Sequence, residues 1–418
     1  MDMTGGHFQR FIEQARERRE LVVQPRMGFG GLAPMRAGLA AVAGLPCATI
    51  GTITLDSYTR VGDYQSALQC LNSDSPLNGF PIISHPLEAV RGMLDGLYGP
   101  SFPIQVRHGT AQPQHVFKRL AALGLDATEG GPVSYCMPYS RLPLARAVEA
   151  WAQSCQLLAD ATAHGHIESF GGCLLGQLCP PSMLIAMTLL EALFFRQQGI
   201  RSVSLSYAQG TSMAQDFGAL QALRELAADY LDGVHWHVVV YSYMGVFPST
   251  GHGARRLIYD SARLTQAAGC ERLIVKTVAE SRQIPSVADN LEALAMAAEA
   301  AAGDALEIDP VSEGYRQEVL FEARQLVEST LDLHTDIGVA LLQAFARGRL
   351  DIPYCLHPDN PGRATTRIDD HGALRWGNVG GLPLPQSCGL SSIGPGITSS
   401  ELFQMLHYTV NRYDQPLH

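Results

Sequence analysis

The sequence is poor in charge and has no excess of basic residues. Of its 418 residues 17% are charged, with Lys+Arg 30 against Asp+Glu 40 and a net charge of −10. Counter-ion release from a phosphate backbone needs a concentrated basic face, so nucleic acid is not an expected partner. No C-x-x-C occurs among the 9 cysteines, which are scattered and odd in number. That argues against a disulfide framework and against a thiolate zinc site, and the thiols read as reduced and mostly buried. No apolar stretch opens the chain: MDMTGGHFQRFIEQARERRE is charged and lacks the core of a signal peptide, which points to the cytoplasm. The most apolar helical run, Met183 to Phe195, contains Thr188 and Glu191 and falls short of the roughly 20 residues that cross a bilayer. It reads as a core helix, and no membrane association is expected. There is also no repeat of fixed period and no long Pro/Gly/Ser linker.

What remains is a chain that is 46% hydrophobic, in which short β-branched segments alternate with longer helical ones. Candidate strands are Leu21 to Gln24, Cys47 to Thr54, Pro81 to Ser84, Pro103 to Val106, Val133 to Tyr135, His166 to Phe170, Ser202 to Tyr207, Val238 to Tyr241 and Arg272 to Val275. Amphipathic helices are expected over Thr211 to Tyr230, Leu144 to Ala161, Ala254 to Ala268 and Val287 to Ala302. The alternation predicts an α/β fold, a (β/α)8 barrel with a short N-terminal extension, one candidate strand being surplus to eight. A doubly wound sheet is the alternative. From about Asp351 the chain turns rich in Pro, Gly and Asp. The expected division is therefore a catalytic barrel over 1–350 and a loop-rich segment over 351–418 packed on it.

Cations follow four of the strands: Arg26 after LVVQP, Arg60 after TITLDSYT, Arg107 after PIQV and Lys276 after RLIV. In such a barrel the carboxyl ends of the strands form the catalytic mouth, so these side chains would converge. Guanidinium forks grip carboxylates bidentately, and three of them suit both ends of a small dicarboxylate. Nearby, ATEGGPVSYCMPYSR brings Glu129, Tyr135 and Tyr139 together around a Gly-rich turn. Glu129 reads either as the receiver of a substrate ammonium or as a structural counter-ion to one arginine. Two H-x-H pairs, His164/His166 and His235/His237, have metal-ligand spacing on a strand but no further ligand to complete a site, so no metal is expected. Lys276 at an apolar strand end could form a Schiff base, which makes a lyase or aldolase-type barrel the competing enzyme class. DLHTDIG around His334 is one residue off the D-x-H-x-x-G cobalamin signature and reads as coincidence.

The segments QPRMG, LDSYTR, LNGFP, QVRHGT, EGGPVSYCMPY, FGGCLLGQLCPPSM, MGVFP, VKTVAESRQIP and DIPY followed by WGN recur in one order. In them the chain resembles the large (epsilon) subunit family of glutamate mutase, also called methylaspartate mutase, from about Gln24 to about Asn378. The resemblance implies an isomerase: adenosylcobalamin-dependent radical rearrangement of L-glutamate to 3-methylaspartate, with the cobalt carried largely by a separate small subunit and the large subunits paired as a homodimer. It implies Arg26, Arg60, Arg107, His108, Glu129, Tyr135 and Tyr139 as substrate-binding residues, with Glu129, Arg60 and Arg107 at the chemistry. It implies Gly28, Asn78, Pro138, Phe247, Lys276, Glu280 and Ile284 as cofactor-binding, Lys276 and Glu280 on the adenosyl ribose in place of an imine. The chain departs from the family at Cys136, where the family has Asn, at GGP in place of three glycines, around Ser169 to Leu175, and in being shorter at both ends. A dicarboxylate-binding barrel without mutase chemistry is the remaining alternative.

Overall fold

A computed structural model describes residues 6–73, 75–389 and 397–415, so parts of both expected units (1–5, 74, 390–396 and 416–418) lie outside the described residues. Eight parallel strands form one sheet: β1 (Val22–Pro25), β2 (Gly51–Thr54), β3 (Ile104–Arg107), β4 (Ala127–Gly130), β5 (His166–Ser169), β6 (Ser202–Ala208), β7 (His235–Tyr241) and β8 (Arg272–Val275). Their spatial order is β1-β8-β7-β6-β5-β4-β3-β2. The ring closes where Val23 donates its N–H to Ala48 at 3.0 Å and bridges Thr49 in parallel, so the sheet is a (β/α)8 barrel.

Seven of the expected strands are present within a few residues. Two are not: Pro81 to Ser84 is a turn after the Leu55–Phe80 bridge, and Val133 to Tyr135 lies in the turn that follows β4. The strand actually there, Ala127–Gly130, reads ATEG, with little of the β-branched and aromatic content that marks a strand. Its pairing with β3 and β5 and its full burial supply what its own propensity does not.

The barrel interior is polar. Gln24 donates to Thr52 and Gln105 at 2.8 Å, and Arg272 reaches Gln24, Gln105, Ser204, His237 and Glu168. Below this layer His166 bonds Ser202 and Ser204 and stacks on His237. The helix His7–Glu17 corks the base: Phe8 stacks on His166 with centroids 4.5 Å apart, and the Arg272 guanidinium lies over its ring. The H-x-H pairs are thus split, the inner rings bonded within the barrel while His235 is exposed and His164 half-buried.

The Met183 to Phe195 run lies inside the helix Pro181–Gln197, buried from Pro181 to Phe195 between the barrel and the helix Ser312–Leu331. Among the described residues no helix is long and apolar enough to cross a membrane. Beyond residue 350 the chain forms an antiparallel pair, β9 (Thr365–Ile368) and β10 (Leu374–Asn378), and a helix Ser399–Asp414. Buried Asp351 gathers the N–H groups of Gly362, Arg363 and Ala364, and Trp376 donates to Glu322 at 3.0 Å. The stretch from Cys355 to Asp359 buttresses the loop after β4: His357 meets the Leu142 carbonyl at 2.9 Å, and Leu144 N–H donates to Asp359 at 2.7 Å.

Burial pushes three carboxyls, Glu191, Asp216 and Glu322, up to about 7. Between the ordinary carboxylate range and that value the folded chain binds protons that the unfolded chain releases, so stability falls as pH rises through this window. At about 1.4 kcal/mol per unit the three together weigh several kcal/mol. The thermal midpoint should drop between pH 5 and pH 8, and Glu191→Gln should flatten that slope. A variant with the wild-type slope would show that Glu191 does not contribute.

Candidate functional site

The mouth holds a cavity of about 1130 Å³ lined by Arg26, Arg60, Arg107, Glu129, Tyr135 and Tyr139, with Phe170 and Met244. Arg107 ends β3 and Glu129 stands on β4, so their side chains meet inside the rim. Arg107 Nε donates to Glu129 Oε2 at 2.6 Å, and both groups are almost fully buried. Burial alone would lower the Arg107 pKa, but Glu129, Tyr241 and Tyr135 outweigh it and hold it well above its usual value. Among the described residues its buried Nη1 has no hydrogen-bond partner, and the same is true of Arg26 Nε. Buried donors without acceptors are costly, and two of them on cavity-lining guanidiniums suit an anionic ligand. Arg60 completes the trio from the short helix Ser57–Val61, its Nε on the Leu55 carbonyl at 3.0 Å. Burial, with Arg107 and Arg26 close by, pulls its pKa down.

Glu129 is well occupied: Oε2 accepts from Arg107 and from Tyr241 at 2.8 Å, and Oε1 accepts from Tyr135. Glu129 is thus the counter-ion of Arg107, and among the described residues its Oε1 accepts a single hydrogen bond, which leaves room for a second. Tyr135 is carried by a loop clamped from below by Glu191. That carboxyl takes the Val133 and Ser134 N–H groups at 3.1 and 2.8 Å and the Ser134 and Ser169 hydroxyls at 2.9 Å. Gly131 is required there because a Cβ would stand 2.0 Å from Glu191 Oε1. Tyr139, 57% exposed, forms the outer lip.

His108 does not line the cavity. It stacks on Trp151 at 5.5 Å, its Nδ1 takes the Thr110 N–H, and burial with nearby Arg60 pushes it down to about 3, so the ring is neutral. Cys136 is likewise turned away, its Sγ on the Leu142 carbonyl at 3.2 Å and facing His357, with burial pushing the thiol up to about 11.

A second cavity of about 530 Å³ adjoins the first, sharing Arg26, Thr54 and Arg60, and is lined by Gly28, Asn78, Glu280 and Ile284. Lys276 sits beside it, its Nζ 3.3 Å from Glu280 and 5.1 Å from the Phe247 ring centre; burial lowers it to about 8 against the pull of Glu280. Pro138, half-buried on the loop after β4, and Phe247 line neither cavity. Glu280 also takes Arg26 Nη1 at 3.3 Å, so one carboxylate joins the two cavities.

Two residues of this network escaped the sequence reading. Tyr241, the last residue of β7, bonds Glu129 and Glu168, and Glu168 on β5 is paired with Arg272. The available signal was a tyrosine closing an expected strand, the position that faces the mouth.

A family profile for the methylaspartate mutase E chain matches residues 4–390. The glutamate mutase epsilon subunit of Yersinia enterocolitica is 31% identical over 356 residues, 80% of this chain and 72% of the relative. That of Haloarcula marismortui is 32% identical over 346 residues, 79% and 70% of the two chains. That of Escherichia coli O157:H7 is 29% identical over 351 residues, 80% and 72%. The chain belongs to the methylaspartate mutase E chain family, the family of glutamate mutase epsilon subunits.

Proposed function

We infer that this chain is the substrate-binding large subunit of an adenosylcobalamin-dependent isomerase that converts L-glutamate to 3-methylaspartate. It would act in the cytoplasm as a homodimer together with a separate small cobalamin-binding subunit. The observation that carries this reading is the trio Arg26, Arg60 and Arg107 on one cavity with Glu129, two of the guanidiniums holding buried, unpartnered N–H groups. Residues 1–350 would carry the chemistry and 351–418 the buttress of the loop after β4.

The division of roles follows from charge and reach. Three cations on one wall and one carboxylate match a ligand with two carboxylates and one ammonium. Arg107 and Arg26 offer donors to the carboxylates, and Glu129 Oε1 offers its open acceptor site to the ammonium. Tyr135 and Tyr139 close the outer side and limit water. Such a clamp fixes the reacting carbon in one orientation, and its value is geometric.

The adjoining cavity, about 530 Å³, opens beside the Lys276–Glu280 pair. At Gly28 a Cβ would stand 2.3 Å from the Thr54 carbonyl, so glycine there lets the ends of β1 and β2 pack closely beside this cavity. Gly28, Asn78 and Ile284 would hold adenosylcobalamin there, with Glu280 and Lys276 on its polar edge. When bound, that cofactor supplies homolysis of a weak cobalt–carbon bond, the step no side chain can perform. The competing imine reading is less well supported, because the Lys276 amine faces Glu280 and the Phe247 ring rather than the main cavity.

Anaerobic incubation with a cobalamin-binding small subunit, adenosylcobalamin and L-glutamate should give a new methyl doublet by proton NMR. No doublet, with the partner shown to bind, would refute the isomerase reading. Turnover without the small subunit would refute the need for a partner.

A further inference from the structure

Each serine that Glu191 grips stands directly before an aromatic wall of the ligand cavity. Ser134 precedes Tyr135 and Ser169 precedes Phe170; both rings line the cavity, with centres 5.2 Å apart. Glu191 itself is fully buried and is the only ionisable residue between Pro181 and Phe195 of its helix. Its partners are all neutral: Oε1 accepts the Val133 and Ser134 N–H groups, and Oε2 accepts the Ser134 and Ser169 hydroxyls. A carboxyl buried without a cation is costly, and packing alone would be served by leucine or methionine. Short tethers complete the frame: the Phe170 N–H donates to the Gly130 carbonyl and the Tyr135 N–H to the Gly131 carbonyl, both at 3.1 Å. One carboxyl thus ties the loop after β4 to the end of β5.

We propose that Glu191 is a positioning residue that, through Tyr135, makes the cavity selective for a dicarboxylate carrying an amino group. This rests on the reading above that Glu129 receives the ammonium. Tyr135 donates to Glu129 Oε1, the oxygen with room for a second hydrogen bond, so the place of the phenol sets how that carboxylate is presented. Without Glu191 the N–H groups of Val133 and Ser134 would be buried with no acceptor, and the turn would have to shift to satisfy them. Tyr135, the next residue, would move with it. The three arginines stand outside this frame: Arg26 follows β1, Arg60 lies on the helix Ser57–Val61 and Arg107 ends β3. Loss of Glu191 should therefore be felt by the ammonium and not by the two carboxylates.

Calorimetric titration of the full chain with L-glutamate and, separately, with glutarate reads the effect. Glu191→Leu, which keeps the bulk and removes every acceptor, should bind L-glutamate about tenfold more weakly and glutarate unchanged. Glu191→Gln should bind both like the wild type: its amide oxygen takes the two N–H groups, and its NH2 donates to the two hydroxyls, which reverse their roles. A residue that serves the fold alone would lower the unfolding temperature of Glu191→Leu without changing the ratio of the two affinities, and that result would overturn the proposal. So would equal loss of both ligands, or a Glu191→Gln variant as weak for L-glutamate as Glu191→Leu. Should Glu191→Leu not fold, Ser134→Ala combined with Ser169→Ala decides. That pair keeps the two N–H bonds and should bind L-glutamate about threefold more weakly, with glutarate unchanged. An unchanged ratio there overturns the proposal. Wild-type protein that binds neither ligand would overturn the clamp reading itself, and this inference with it, whereas every other outcome leaves the clamp in place.

Discussion

Arg107→Lys should lower turnover of L-glutamate at least about a hundredfold. Arg107 makes two contacts that an ammonium cannot reproduce together: Nε to Glu129 at 2.6 Å and Nη2 to the Tyr241 hydroxyl at 3.4 Å. Its third nitrogen, Nη1, is buried and has no partner among the described residues, and under the proposed clamp it is the donor to a ligand carboxylate. Hydrogen bonds to charged groups contribute about 1.5–3 kcal/mol each, and losing two of them costs two or more powers of ten in rate. Lysine keeps the charge but presents a single point in place of a planar fork. Steady-state kinetics with the small subunit and cofactor in excess would check this, with both KM and kcat affected because the ligand is held loosely and askew. Wild-type kinetics would dismiss the clamp.

The second large effect concerns stability. Arg272→Met should destabilise the fold by about 3–5 kcal/mol, the usual cost of stranding one partner of a buried ion pair. Arg272 and Glu168 are both fully buried, and the guanidinium also satisfies Gln24, Gln105 and Ser204. Methionine fills the volume but leaves the carboxylate without its cation. Urea unfolding followed by far-UV circular dichroism should show the midpoint moving to markedly lower denaturant. Replacing both members, Arg272→Met with Glu168→Leu, should recover a good part of the loss, because an apolar pair leaves no uncompensated charge. A single variant as stable as the wild type would mean that Glu168 finds another partner.

The two variants mark where sequence reasoning reached and where it stopped. Arg26, Arg60 and Arg107 were legible because each stands just past an apolar segment, and a barrel sends every such position to one mouth. Glu129 and the two tyrosines followed from closeness in sequence, although β4 itself was placed a few residues late, at Val133 to Tyr135. Tyr241, Glu168 and Arg272 were not legible as a set. They come from three strands, β7, β5 and β8, and only closure of the ring shows that a polar residue on each points at the same axis. His108 differs from them in direction: it adjoins Arg107 in sequence, but the next position after a strand's end turns its side chain outward, onto Trp151.

The cork at the base of the barrel also bears on how the chain comes to be folded. Phe8 is made long before its socket, which is built from His166, His237 and Arg272, the last of them about 260 residues further along the chain. Until β8 is in place the apolar face of the helix His7–Glu17, with Phe8, Phe11 and Ile12, has no complete seat. The first helix must therefore wait while nearly the whole barrel is synthesised, its greasy side open to chaperones or to neighbouring chains. Docking of Phe8 would then be a late event in assembly, the one that tells a finished barrel from an open sheet.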